Sequence, residues 1–341
     1  RFADRFAPGI AFREDEARTY EALAARARAA AAEPDIPSEA VRDGLARARE
    51  FLRLAGDRWS RVARADHARP AAENADRVWA AARAFFSARA YVEAAGRFIE
   101  FTSQAPDDPR RSEAFFRAGL SYRRTGRFPE AMTYHQHNLD EYPESPVWTP
   151  FSRLEQALCL IDRRRTTDAL RVLDGILRDD ARFTPESEVW QLALFNAGRV
   201  GAEARLAVVG PSPAGVTDEA TRARLVEFLR RYAPGVSGAP DPGVPIVLPH
   251  PETAHPYALP AAWLLGAMDQ ADGRYARARA AYDLVIALGA GVPPPDESGG
   301  VALAGWPEHL RDIYLSRDEV VVLAHWPDRL RQACFARGDC R

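Results

Sequence analysis

Residues 82–106 read ARAFFSARAYVEAAGRFIEFTSQAP, and residues 119–143 read GLSYRRTGRFPEAMTYHQHNLDEYP. Laying one on the other decides the fold. Ala82, Phe85, Tyr91, Ala94, Phe98 and Pro106 match Gly119, Tyr122, Phe128, Ala131, His135 and Pro143 at a constant offset of 37 residues. A weaker third copy runs Ala157, Leu160, Ala169 and Leu173, with Ala169 placed 38 after Ala131. A fourth lies downstream as Trp263, Leu265, Gly266, Gly273, Tyr275, Ala278 and Tyr282. A fixed period of this length marks a helical repeat, in which each helix pair buries its apolar face only by stacking on its neighbours. Ala82, Gly119, Ala157 and Gly266 permit close helix approach, and Ala94, Ala131, Ala169 and Ala278 do the same on the partner helix. Phe85, Tyr122, Phe98 and Tyr282 fill the space between. Ser112 can cap one helix, Pro129 suits the first turn of another, and Thr149-Pro150 reads as a cap followed by proline.

These positions resemble the tetratricopeptide repeat (TPR), whose pattern is a Trp-Leu-Gly-Tyr helix, a turn, an Ala-aromatic helix and then proline. The resemblance covers Asp76–Ala181 and Ala262–Gly289. The spacing is longer than the family's usual ~34 residues, and residues such as Asp107-Asp108-Pro109 are expected to lengthen the loops. The resemblance implies an all-α, right-handed α-α superhelix. It also implies a concave groove, lined by the first helix of each repeat, that holds an extended peptide or a partner's helix. The implied partner-binding positions are Trp79, Arg83 and Phe86, then Phe116, Arg117, Leu120, Arg123 and Arg124, with Leu154, Leu158 and Ile161 in the third copy. Arginine among aromatic residues suits a partner carrying carboxylates and one or two apolar anchors. The Lys and Asn of the carboxylate-clamp subclass are missing at these positions, so binding of chaperone tails is not supported.

Outward from the repeats, the chain of 341 residues divides into four expected regions. Residues 1–70 form an N-terminal helical region, with helices over 13–32 and 38–55 and a further one over 58–69; Gly56 is expected to end the second. Residues 71–233 form the array, with clear copies at 75–108, 112–145 and 150–181 and degenerate helices around 185–197 and 217–232. Residues 234–261 hold eight prolines and read as a linker or extended loop. Residues 262–341 hold the last hairpin and short capping helices, including the paired starts Trp306-Pro307-Glu308 and Trp326-Pro327-Asp328.

The 46 basic residues are all arginine, as a GC-rich genome produces, and 48 acidic residues bring the net charge to −2. That balance removes the electrostatic argument for a nucleic-acid binder. No apolar run approaches the ~18 residues of a membrane span; the longest are Val244–Leu248 and Val320–Ala324. The sequence opens at Arg1 without Met, for which removal of a signal peptide is one explanation. Cys159 falls in a helical apolar pattern and reads as core. Cys334 and Cys340, six apart around Gly338-Asp339, fit a small disulfide loop, two free thiols, or a metal or redox pair.

No phosphate loop, nucleophile elbow or zinc-binding helix motif occurs. His135 sits at a repeat core position, and His137 points elsewhere on the same helix. His250 and His255 flank Glu252 in the Pro-rich segment without completing a metal set. The pairs Asp179-Asp180 and Asp296-Glu297 read as solvated turns, and Arg163-Arg164-Arg165 as a basic helix end. The expected function is a non-catalytic scaffold for a protein partner, with no cofactor, no metal and no nucleic acid. Phe98–Phe101 and Glu141–Ser145 resemble phrases of bacterial envelope TPR proteins, which implies a periplasmic or envelope-associated assembly; the cytoplasm is the alternative. The rival readings are an obligate structural subunit with its groove filled by the Pro-rich segment, and an enzyme using the histidines of that segment.

Overall fold

In a computed structural model, residues 10–31, 38–65, 71–179, 181–207, 217–236, 240, 254–255 and 257–289 are described. Among them there are twelve helices and no strands: α1 (Ile10–Ala31), α2 (Ser38–Ala65), α3 (Ala71–Ser87), α4 (Tyr91–Gln104), α5 (Arg111–Arg124), α6 (Phe128–Glu141), α7 (Trp148–Asp162), α8 (Thr166–Arg178), α9 (Glu188–Ala207), α10 (Asp218–Tyr232), α11 (Ala258–Ala271) and α12 (Tyr275–Gly289). The chain divides into two compact units, residues 1–155 and 156–341, with the boundary inside α7. In the first, consecutive helices from α1 through α6 pack on one another; in the second, those from α8 through α12 do so, and α9 also meets α11.

One turn closes four helices, and it sets the repeat register. The residue after the helix cap takes positive φ at Arg89 (61°), Gly126 (77°), Arg164 (58°) and Gly273 (73°). Its N–H donates to the carbonyl three residues back, and the next N–H donates five back: Arg89 to Phe86 and Ala90 to Phe85, Gly126 to Arg123 and Arg127 to Tyr122, Arg164 to Ile161 and Arg165 to Leu160, Gly273 to Gln270 and Arg274 to Asp269. This is the Schellman termination, which satisfies two orphan carbonyls and reverses the chain. Five residues after each positive-φ position, Ala94, Ala131, Ala169 and Ala278 each donate the first N–H bond of the following helix. All four are buried, so the alanine register read from the sequence is the register of the structure.

The small residues on the first helices sit at close crossings. A Cβ added at Gly119 would stand 2.7 Å from the His135 ring, and one at Gly266 would stand 2.6 Å from the Tyr282 ring. Several local expectations change. Gly56 does not end a helix: α2 runs through it to Ala65, and a Cβ at Gly56 would stand 2.8 Å from the ring of Phe85 on α3. Ser112 is not a cap. It lies inside α5, and its hydroxyl donates to Asn138 Oδ1 (2.7 Å), whose Nδ2 donates to Ser152 Oγ (2.8 Å). That buried chain pins α5, α6 and α7 together. Thr149 likewise lies within α7 and donates to the Tyr142 carbonyl. Among the described residues, Thr217 does act as a side-chain cap, accepting from the Ala220 N–H at the start of α10, and Ser187 accepts from the Trp190 N–H at the start of α9.

In the second unit the end of the Pro-rich segment belongs to the core rather than to a linker. Tyr257 stacks on Phe195 at 4.4 Å, the His255 N–H donates to the Tyr232 carbonyl, and α11 begins at Ala258 with Pro260 in its first turn. Arg222 bridges Asp269 and Asp272, and Arg205 joins Asp272 (3.1 Å) to Asp218 (3.2 Å), tying α9, α10 and α11. No helix among the described residues is long and apolar enough to cross a membrane. Val244–Leu248, His250, Glu252, Asp296-Glu297, the two Trp-Pro segments, Val320–Ala324, Cys334 and Cys340 lie outside the described residues.

Candidate partner-binding surface

The expected groove residues sit on α3 and α5, and the structure places most of them inside the first unit. Trp79 meets the Phe98 ring edge-on at 5.5 Å and lies 4.9 Å from Phe101. The Arg110 guanidinium covers it at 5.4 Å, held there by Asp108 and Asp76 at 2.7 Å each. Those carboxylates push the Arg110 pKa further up, the Asp108 bond being the larger cause. Phe86 packs on Tyr91 (5.6 Å) and Phe98 (6.2 Å). Phe116 stacks on Trp148 at 5.2 Å and touches His135 and Phe151, and Leu120 is wholly buried. An anchor for a partner must be open to it before binding. Trp79, Phe86, Phe116 and Leu120 are core residues instead. Leu154 and Leu158 of the third copy are buried as well, while Ile161 is half-buried.

The arginines divide. The Arg117 guanidinium lies between Phe86 (5.2 Å) and Trp148 (5.9 Å) and bonds Glu113 at 2.6 Å. Its charge is spent inside the repeat. Arg123 is 4% exposed and pairs at 2.9 Å with Glu155, which is fully buried. Charge reversal at Arg123 would set two carboxylates together in the core, so this position reports on stability rather than on a partner. Arg124 is half-buried, and Arg83 is exposed on α3. The structure thus brings Phe86, Glu113, Arg117, Phe116 and Trp148 into one ladder and leaves Arg83 as the open cation of the expected set. Trp148, Phe151 and Glu155 on α7 are what sequence reasoning missed. Their repeat spacing was readable, but which face of α5 they cover depends on packing.

A second surface, unanticipated, lies between α1 and α2. A cleft of about 570 Å³ is lined by Phe12, Arg13, Glu16, Arg58, Arg61, Arg64 and Ala65. Glu16 bonds Arg58 at 2.8 Å and raises its pKa. The arginines at 58, 61 and 64 recur at near-helical spacing. In a chain with 46 arginines that signal did not stand out.

Among the described histidines, His137 is exposed beside Glu141, and His135 and His255 lie among aromatic rings. Burial, with the Arg123 charge second, lowers the His135 pKa to about 3, and burial does the same at His255. His255 lies against the rings of Phe228, Tyr232 and Tyr257, and its Nδ1 accepts from the Tyr257 N–H. No three His, Cys, Asp or Glu side chains among the described residues are grouped to hold a metal ion. Cys159 is buried in α7. No protein-family model matches the chain, and no curated protein matches it.

Proposed function

We propose that the chain is a non-catalytic scaffold of the TPR type that binds a protein partner along the inner helices of its hairpins. The observation that carries this reading is the recurrence of one turn and one alanine register at four hairpins, centred on Arg89, Gly126, Arg164 and Gly273. Repeated hairpins of this kind present extended surfaces for partners. A right-handed superhelix belongs to the same reading. So does an envelope compartment, which rests on the short envelope-like phrases and on the spacing of Cys334 and Cys340.

The buried aromatic residues change how a partner would be held. With Trp79, Phe86 and Phe116 covered, contact falls to polar groups, and Arg83 is the open cation among them. An acidic segment bound there is held by forked, charge-assisted hydrogen bonds. Capture of partners by the full chain from native membrane and soluble fractions, identified by mass spectrometry, supplies the ligand for the test. Its affinity is then titrated with salt for wild type and Arg83→Glu. Binding that weakens with salt and in the variant supports the reading. Binding indifferent to both contradicts it.

A further inference from the structure

The cleft between α1 and α2 has a chemistry that the inner helix faces lack. Phe12, Arg13 and Glu16 come from the first two turns of α1, and Arg58, Arg61 and Arg64 from the end of α2. Glu16 is committed to Arg58. Arg13, Arg61 and Arg64 have no acidic partner among the described residues. Several arginines of the same unit do have acidic partners, Arg77 in Glu14, Arg111 in Glu141, Arg117 in Glu113 and Arg127 in Glu130, while Arg83 stands open by itself on α3; what sets the cleft apart is three such guanidinium groups in one place. The nearby acid Asp15 faces Arg18. Three guanidinium groups in one cleft repel one another until an anion enters. Beside them the Phe12 ring is 60% exposed, an apolar surface at the rim of a cationic site.

We propose that this cleft binds a short acidic peptide segment of a partner protein. Its carboxylates are forked by Arg61 and Arg64, and an apolar side chain lies on Phe12. Arginine forks match carboxylate geometry, and the volume falls within the ~300–1,000 Å³ typical of ligand sites. A bare phosphate would use the arginines and leave Phe12 idle. A nucleic acid would need a cationic field that a chain of net charge −2 does not supply. The proposal shares with the scaffold reading the premise that the partner is a protein, but its residues are separate from Arg83.

The test is fluorescence anisotropy of the full chain with a fluorescein-labelled dodecapeptide of Asp and Glu containing two Leu. Parallel arms use inorganic phosphate, phosphatidylserine vesicles and single-stranded RNA. Saturable peptide binding is expected. It should weaken by about tenfold or more in Arg61→Glu/Arg64→Glu, weaken less in the Lys/Lys variant, and stay unchanged in Arg83→Glu. Both arginines are exposed, so the variants should melt as wild type does. Equal affinity in the charge-reversed variant overturns the proposal. So does the absence of saturable peptide binding, and so does binding of phosphate, vesicles or RNA in the peptide's place. If the peptide result holds while partner binding ignores Arg83, the groove reading fails and the cleft stands.

Discussion

At the scale of single residues, the core contains polar groups whose cost can be measured. Among the described residues neither ring nitrogen of His135 has a hydrogen-bond partner, and the residue is fully buried. The equivalent residue in the last hairpin, Tyr282, is a six-membered ring that fits across a glycine and sends its hydroxyl to Gln270. His135→Phe should therefore fit across Gly119 and raise stability by ~1–3 kcal/mol, because two desolvated nitrogens are removed. The pH dependence follows from the lowered pKa. Between about 3 and ~6.5 the unfolded chain binds a proton that the folded chain refuses, so the stability is complete above ~6.5 and declines on acidification. From pH 7 to 5 wild type should lose about 2 kcal/mol more than His135→Phe, read from urea melts at both pH values. His135 was legible as a core position because its spacing is local. Arg123 was not, since the acid that neutralises it comes from another helix. Arg123→Ala should cost ~3–5 kcal/mol by stranding Glu155, and Arg123→Met/Glu155→Leu should recover most of it. Equal melts for the single and double variants would contradict that pairing.

At the scale of elements, the four turns share a backbone but not a residue. Gly126 and Gly273 meet positive φ without strain, whereas Arg89 and Arg164 hold a Cβ there. Arg89→Gly and Arg164→Gly should each stabilise the chain by about 1 kcal/mol, visible as a higher melting temperature. Gly126→Ala should lower it. If the glycine variants melt no higher than wild type, this turn geometry is wrong at those hairpins. The sequence showed the hairpins well because turn, alanine and small residue lie within one period. It misread Gly56 as a helix end for a physical reason: a glycine that makes room for Phe85 looks, from its own helix alone, like a glycine that terminates it. Ser112 failed in the same way, as a cap by type and a buried donor to Asn138 by position.

At the scale of the whole molecule, repetition was readable and surface was not. Which aromatic residues are anchors and which are core is decided by whatever packs beside them, and Phe116 became core because Trp148 and Phe151 close over it. The cationic cleft arises from two helices whose residues share no motif. Of the groove residues expected in the first unit, what stays open is therefore Arg83 rather than an apolar stripe, and arginine also lines the cleft around Arg61. The most direct measurement is site-specific photocrosslinking in the native host, with every arginine kept and a benzophenone amino acid placed in turn at Ser87, one turn from Arg83 on α3, at the exposed Ala65 beside Arg61 and Arg64, and at the exposed Thr133 on α6 as a control face. The account predicts protein adducts from position 87 that fade as salt is raised before irradiation, and none of comparable yield from position 133. Adducts confined to position 133, or none from any of the three, would contradict a scaffold that works through its open arginines.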